Sequence, residues 1–212
     1  MPQPTRILIA PLNWGLGHAT RCIPIIQAFL DAGVAVTLAS DGAALALLRR
    51  EFPQLPAIEL PGYEIHYKSS NMVRNLTGQL PKVSRAIYRE HRIIRQLCRN
   101  KQFEAIITDN RFGCFSRQIP SVFITHQLRI RTPYPLLDRL VRYFNRLFIR
   151  QFRECWVPDR STPPRLAGDL SEALPGLRVR YIGNLSRMQP LHIPAERNGL
   201  VVLSVPEPKR SL

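Results

Sequence analysis

The sequence predicts an α/β fold in which a parallel sheet carries helices on both faces, and three observations lead there. Short aliphatic runs alternate with helical patterns along most of the chain, as repeated βα units do. Most of these runs are continuous β-branched or aliphatic stretches, such as Ile7-Leu8-Ile9-Ala10, which is how strands buried on both faces read. The first run leads into a glycine turn, Gly15-Leu16-Gly17, and the turn opens an apolar-periodic segment, the start of a doubly wound domain.

Taken in order, strands are predicted at Arg6 to Pro11, Val34 to Ala39, Ala57 to Leu60, Glu104 to Thr108, Ser121 to Thr125, Glu154 to Val157, Val179 to Ile182 and Leu200 to Ser204. Helices are predicted at His18 to Ala32, Ala43 to Glu51, Lys82 to Lys101, Pro135 to Arg153 and Pro164 to Leu174. The stretch Pro61 to Gln79 shows no period and mixes Tyr63, His66, Tyr67 and Arg74. A loop that long in a compact domain is usually functional, and its aromatic and polar residues suit a sugar or a lipid headgroup. After Ile182 the pattern loosens, so residues 1–183 form one domain, 184–198 a linker, and 199–212 the first strand of a second domain that is otherwise cut off.

Charge is the unusual property: 30 basic against 15 acidic residues leave +15. Nearly all the basic residues are arginine, which grips phosphate bidentately, so polyanions or a diphosphate-bearing substrate are favoured partners. Two helices hold much of it. On Lys82 to Lys101, a wheel gathers Val83, Ile87, Ile94 and Leu97 on one face and Arg85, Arg89, Arg92, Arg95 and Arg99 opposite. On Leu136 to Arg153, Leu140, Val141, Phe144, Leu147 and Phe148 form a wide apolar face beside Arg139, Arg142, Arg146 and Arg150. The ordinary reading packs each apolar face on the core with a wet arginine side. The sharper reading lays the basic flank on anionic lipid, with the second helix dipping into the interface.

Cys22, Cys98, Cys114 and Cys155 lack the paired spacing of a zinc site or disulfide framework, so reduced thiols and no metal are expected. No run reaches the length of a spanning helix, and a strand starts within a few residues of Met1, which argues against a signal peptide. A cytoplasmic protein, with peripheral contact on the inner membrane face, is the expected setting. No RNA- or DNA-binding motif is visible, and nucleic acid is not the expected partner.

Doubly wound sheets bind ligands beyond the carboxyl ends of their strands, so the residues there are the chemical candidates. Gly15 and Gly17 let backbone amides at a helix start approach an anion. His18 can exchange a proton near neutral pH, or serve as a helix-start polar group. Asp109 ends the Glu104 to Thr108 strand and could orient His18 as a base is oriented in other pairs; alternatively it caps a short helix. Arg21, Tyr67, Asn110, Arg111 and His126 are candidate acceptor-binding residues. Asp41 reads as an N-cap. A dinucleotide reading is weakened because Gly15-Leu16-Gly17-His18-Ala19-Thr20 has threonine where the third glycine belongs.

The stretch Pro11-Leu12-Asn13-Trp14-Gly15-Leu16-Gly17-His18-Ala19-Thr20-Arg21 resembles the N-terminal domain of glycosyltransferases of the GT-B fold, as do Asp109-Asn110-Arg111-Phe112-Gly113, Ile124-Thr125-His126-Gln127 and Tyr181-Ile182-Gly183. The nearest relatives are uncharacterised bacterial and archaeal members; the lipid-linked N-acetylglucosaminyltransferase of peptidoglycan synthesis is more distant. The resemblance implies a Rossmann-like acceptor-binding domain, a nucleotide-sugar donor held by a C-terminal domain largely absent here, no cofactor, and in many members no metal. It implies His18 as base and Asp109 as its orienter in an inverting transfer to a hydroxyl, with a membrane-associated acceptor in prospect. In the peptidoglycan enzyme the corresponding histidine works mainly around the acceptor's diphosphate, so a binding role for His18 stays open. The 212-residue chain alone is expected to be inactive. The alternative is a non-catalytic basic module that binds polyanions.

Overall fold

The computed structural model describes residues 5–64, 72–132 and 134–188. Seven strands form one sheet: β1 (Arg6–Pro11), β2 (Ala35–Ser40), β3 (Ala57–Glu59), β4 (Ala105–Asp109), β5 (Ser121–Ile124), β6 (Glu154–Val157) and β7 (Val179–Tyr181). Their order is β3-β2-β1-β4-β5-β6-β7, and every pairing is parallel. The helices are α1 (Gly17–Asp31), α2 (Gly42–Glu51), α3 (Met72–Arg99) and α4 (Pro135–Ile149). The predicted α/β, doubly wound parallel sheet is therefore the fold.

Alternate residues of each strand face opposite layers. Ile7 and Ile9 of β1 pack with Ile23 and Ile26 of α1 and with Val36 and Leu38 of β2. Leu8 and Ala10 turn the other way, against Ile94 and Cys98 of α3. Phe123 of β5 joins Ile149 of α4 and Phe152 just beyond it. The continuous apolar strands thus have two helical layers to fill, as parallel sheets require.

The order reverses between β1 and β4. Chain runs leftward from β1 through β2 to β3, then crosses back by α3 to β4 and continues rightward. The register sets Pro11 beside Asp109, so the two strand ends flank the crevice where doubly wound sheets take ligands.

Three predicted elements differ. α3 begins at Met72, ten residues before the predicted start, so the segment from Met72 to Gln79 is helical rather than loop. The apolar spacing Leu76, Leu80, Val83, Ile87 runs straight through Pro81, a helical period that the reading of Pro61 to Gln79 as aperiodic overlooked. The predicted helix Pro164 to Leu174 is reduced to a 3-10 turn, Gly168–Ser171. Asp159 takes its donors instead: the amides of Leu166 and Ala167 and the hydroxyl of Ser171 all bond this carboxylate. The core-facing reading of α4 is also overturned. Leu140, Tyr143, Phe144, Leu147 and Phe148 are exposed, while Asn145 and Ile149 are buried. Asn145 Nδ2 donates to the carbonyls of Gln127 and Leu128, so a polar anchor fixes which side of the helix turns inward. The predicted strand at Leu200 to Ser204 and most of the linker lie outside the described residues.

Candidate functional site

β1 ends in an extended exit, and Gly15 turns the chain with φ +76°, with open space where a side chain would begin. That left-handed conformation favours glycine. α1 then starts at Gly17, and no side chain caps it at Leu16, leaving first-turn amides available to solvent or a ligand. His18 sits in this first turn, with Arg21 one turn further along the same face.

The imidazole of His18 meets Asp109, which ends β4: His18 Nδ1 lies 2.8 Å from Asp109 Oδ1. The His18 side chain is 15% exposed and that of Asp109 is fully buried. A carboxylate oxygen can only accept, so the proton between them belongs on Nδ1, and Nε2 is left with its lone pair free. Arg21 clamps the same carboxylate from the side, with Nε 2.7 Å from Oδ2 and Nη2 2.7 Å from Oδ1. Such a bidentate, charge-assisted pair is among the stronger pairings available to a buried carboxylate. Burial opposes the charge of Arg21, and the Asp109 carboxylate more than offsets this, holding the guanidinium above its ordinary pKa.

Arg21 Nη2 also comes within 2.9 Å of His18 Nδ1. An arginine donates and cannot accept, so this nitrogen competes with Nδ1 for Asp109 Oδ1. The carboxylate is the only acceptor there that satisfies both donors.

Asn110 follows with φ 59°, a left-handed conformation that asparagine tolerates better than most residues. It brings its Nδ2 to 3.3 Å from Asp109 Oδ1, at the rim of the same cluster. His126, just past β5, closes it: Arg21 Nη1 is 3.0 Å from His126 Nδ1. Burial, then the charge of Arg21, lowers the pKa of His126 below the usual histidine range.

The structure therefore joins His18, Arg21, Asp109, Asn110 and His126. Tyr67 lies outside the described residues. Arg111, expected to bind acceptor, is instead fully buried behind the site. Its Nη1 donates to Glu90 Oε1 at 2.5 Å, its Nη2 bonds Asp41 Oδ1, and its Nε donates to the Pro11 carbonyl at 3.0 Å. All its charge is spent inside the protein, so none faces a ligand. Asp41 is likewise no side-chain cap: it pairs with Arg111 and accepts from Asn13 Nδ2. Asn13 Oδ1 takes the Ala44 amide in its place.

Glu90 was missed by sequence reasoning, although a signal existed. It is the sole acidic residue of α3 and falls on the apolar face between Ile87 and Ile94. Its second oxygen accepts from Tyr63 and from the Gly113 amide. The network ties β1, β2, α3 and the loop after β4 into one support beneath the catalytic candidates. The four cysteines are free and buried, and burial pushes the thiol of Cys155 up to about 12, so none is poised as a nucleophile.

This architecture defines a class: a doubly wound, all-parallel α/β domain with an imidazole–carboxylate pair at its switch point. No family model and no curated protein matches the chain. Solved structures do resemble it. The calicheamicin glycosyltransferase CalG4 matches with a TM-score of 0.59 at 11% identity, over 86% of this chain and 53% of its own. A UDP-glucosyltransferase from Polygonum tinctorium matches with a TM-score of 0.55 at 14% identity, over 92% and 56%. A Listeria monocytogenes protein, provisionally a UDP-N-acetylglucosamine 2-epimerase, matches with a TM-score of 0.50 at 11% identity, over 75% and 40%. The fold is accordingly a Rossmann-like α/β domain similar to one found in these glycosyltransferase structures, and the chain spans about half the length of those two structures. No helix among the described residues is long and apolar enough to cross a membrane.

Proposed function

We propose that this chain is the acceptor-binding part of a glycosyltransferase that moves a sugar from a nucleotide-sugar to a hydroxyl acceptor with inversion. The observation that carries the proposal is the 2.8 Å contact between His18 Nδ1 and Asp109 Oδ1 at the β1–β4 switch point. His18 Nε2 takes the acceptor proton as the acceptor oxygen bonds the sugar's anomeric carbon. The bond from that carbon to the nucleoside diphosphate breaks, and the diphosphate leaves with the electron pair. Asp109 holds the ring and stabilises the imidazolium that forms. Gly15, Gly17, Arg21, Asn110 and His126 line the acceptor side. No metal is part of this mechanism.

In this reading the nucleotide-sugar is held by a domain other than the one described, and the described domain by itself transfers no sugar. A lipid-linked acceptor, met at the inner face of the membrane, is part of this reading. An epimerase would invert a centre within the nucleotide-sugar itself and has no need of a second hydroxyl substrate.

The test uses the longest natural form of the protein with a panel of UDP- and TDP-sugars, scored for nucleoside diphosphate release and product mass. His18→Ala should lower the rate by about 10²-fold or more. Near-normal turnover by that variant would reduce His18 to a scaffold residue, and an altered sugar nucleotide without acceptor would favour epimerisation.

A further inference from the structure

α4 is amphipathic in the wrong sense for a helix that only packs on a core. Its outward stripe, Leu140, Tyr143, Phe144 and Leu147, with Phe148 at the edge also resting on Phe112, follows the i, i+3, i+4, i+7, i+8 spacing of one helix face. Those residues are 39–58% exposed, whereas the inward side carries the buried Asn145 bonded to two carbonyls. Isolated exposed apolar side chains are ordinary, but a contiguous aromatic stripe marks an interaction surface.

The charge around the stripe identifies what covers it. Arg139 and Arg150 border it along one edge, and Arg153 follows just past the helix. All three are exposed, and no carboxylate among the described residues pairs with them. α3 shares this face of the sheet, since both helices pack on the Leu8–Phe123 side. Its Arg85, Arg89, Arg92, Arg95 and Arg99 are exposed and equally unpaired among the described residues. A second copy of a chain of net charge +15 would bring like charges together. An apolar protein surface would leave the arginines without partners. An anionic bilayer satisfies both features at once, with apolar side chains in the acyl boundary and guanidinium groups at the headgroups.

We infer that α4 is an interfacial helix that docks this protein on anionic lipid through Leu140, Tyr143, Phe144, Leu147 and Phe148, with Arg139, Arg150 and Arg153 at the headgroups. The inference deepens the membrane contact included in the proposed function and does not depend on its catalytic part. α4 follows the loop after β5, which carries His126. Docking therefore holds the acceptor edge of the sheet near the membrane surface.

Vesicle flotation of the 212-residue chain tests this without any sugar transfer, so its outcome is separate from that of the catalytic proposal. The chain should float with phosphatidylcholine vesicles that contain phosphatidylglycerol and stay down with phosphatidylcholine alone. The triple variant Leu140→Ser, Tyr143→Ser, Phe144→Ser should lose binding by about tenfold or more with an unchanged thermal transition. Arg139→Gln, Arg150→Gln, Arg153→Gln should lose more, on the order of a hundredfold, at about 1 kcal/mol for each arginine. Absence of flotation overturns the inference. Flotation indifferent to the serine variant overturns the role of α4, as does a wild-type dimer that this variant converts to monomer. Binding of an RNA oligonucleotide in place of the vesicles, with the same loss in the arginine variant, overturns the lipid assignment.

Discussion

Arg21 Nη1 lies 3.0 Å from His126 Nδ1, and because a guanidinium only donates, that nitrogen must be an acceptor. His126 is therefore held as the Nε2–H tautomer, a donor toward the cleft. His18, whose Nδ1 is turned to Asp109, presents an acceptor. The two imidazoles at one crevice are given opposite polarity by the two halves of one ion pair, Asp109 accepting from His18 and Arg21 donating to His126.

The pH dependence of His126 follows from this contact. Burial first and Arg21 second keep its folded pKa below the ordinary value, so the folded state resists a proton that the unfolded chain accepts at about 6.5. The stabilising effect is full above that pH and is lost as pH falls through it toward the lower folded value. Arg21→Gln should raise the His126 titration midpoint, read from its ring resonances by NMR. A midpoint unchanged in that variant would show that burial alone sets it.

Asp109→Asn tests the clamp. The change leaves the guanidinium of Arg21 buried, 15% exposed, without its counter-charge. Breaking one side of a buried pair typically costs about 3–5 kcal/mol, to be read as a fall in the urea midpoint. Arg21→Met in the same chain should recover part of that loss, because no uncompensated charge remains. A strictly additive double variant would mean that the two residues do not interact energetically.

The support beneath the site makes a parallel claim. Arg111 is buried and bonded to Glu90, Asp41 and the Pro11 carbonyl. Arg111→Met strands two carboxylates at once and should cost about 3–5 kcal/mol or more in chemical denaturation. Gly113 should be almost as sensitive, since a Cβ there would lie 2.5 Å from the Ile87 carbonyl and from Glu90 Oε2. Normal stability of Gly113→Ala would show that α3 can shift away from this loop.

What the sequence revealed and what it hid divide along a physical line. The strands were readable because parallel strands buried on both faces leave long aliphatic runs. The pairing of His18 with Asp109 was readable because strand ends at a switch point share one crevice. Arg111 was misplaced because an arginine beside a strand end looks the same whether its partners lie in the cleft or behind it. Only the distant Glu90 and Asp41 decide which. α4 was misread for a related reason: periodicity locates an apolar face but not the direction it turns, and Asn145, which fixes that direction, looked like one more polar residue.

Asp159 supplies the last test, in acid. Burial pushes its carboxyl up, but the bonds from Ser171, Ala167, Leu166 and Arg160 outweigh this and hold it at about 2. The bonds are short, with Ser171 Oγ at 2.7 Å and the Arg160 amide at 2.8 Å. A carboxylate with a depressed folded pKa stabilises the fold fully above its unfolded value, near 3.9, and the contribution disappears as pH falls through about 2. Asp159→Asn should remove that part of the acid dependence and lower stability at neutral pH, because the hydrogen bonds to a charged acceptor are replaced by weaker ones. Urea midpoints measured between neutral pH and pH 2 would show it: the wild-type curve drops steeply at the acid end, and the variant starts lower and falls less. If the two curves run parallel, the segment from Arg160 to Ser171 is held by something other than this carboxylate.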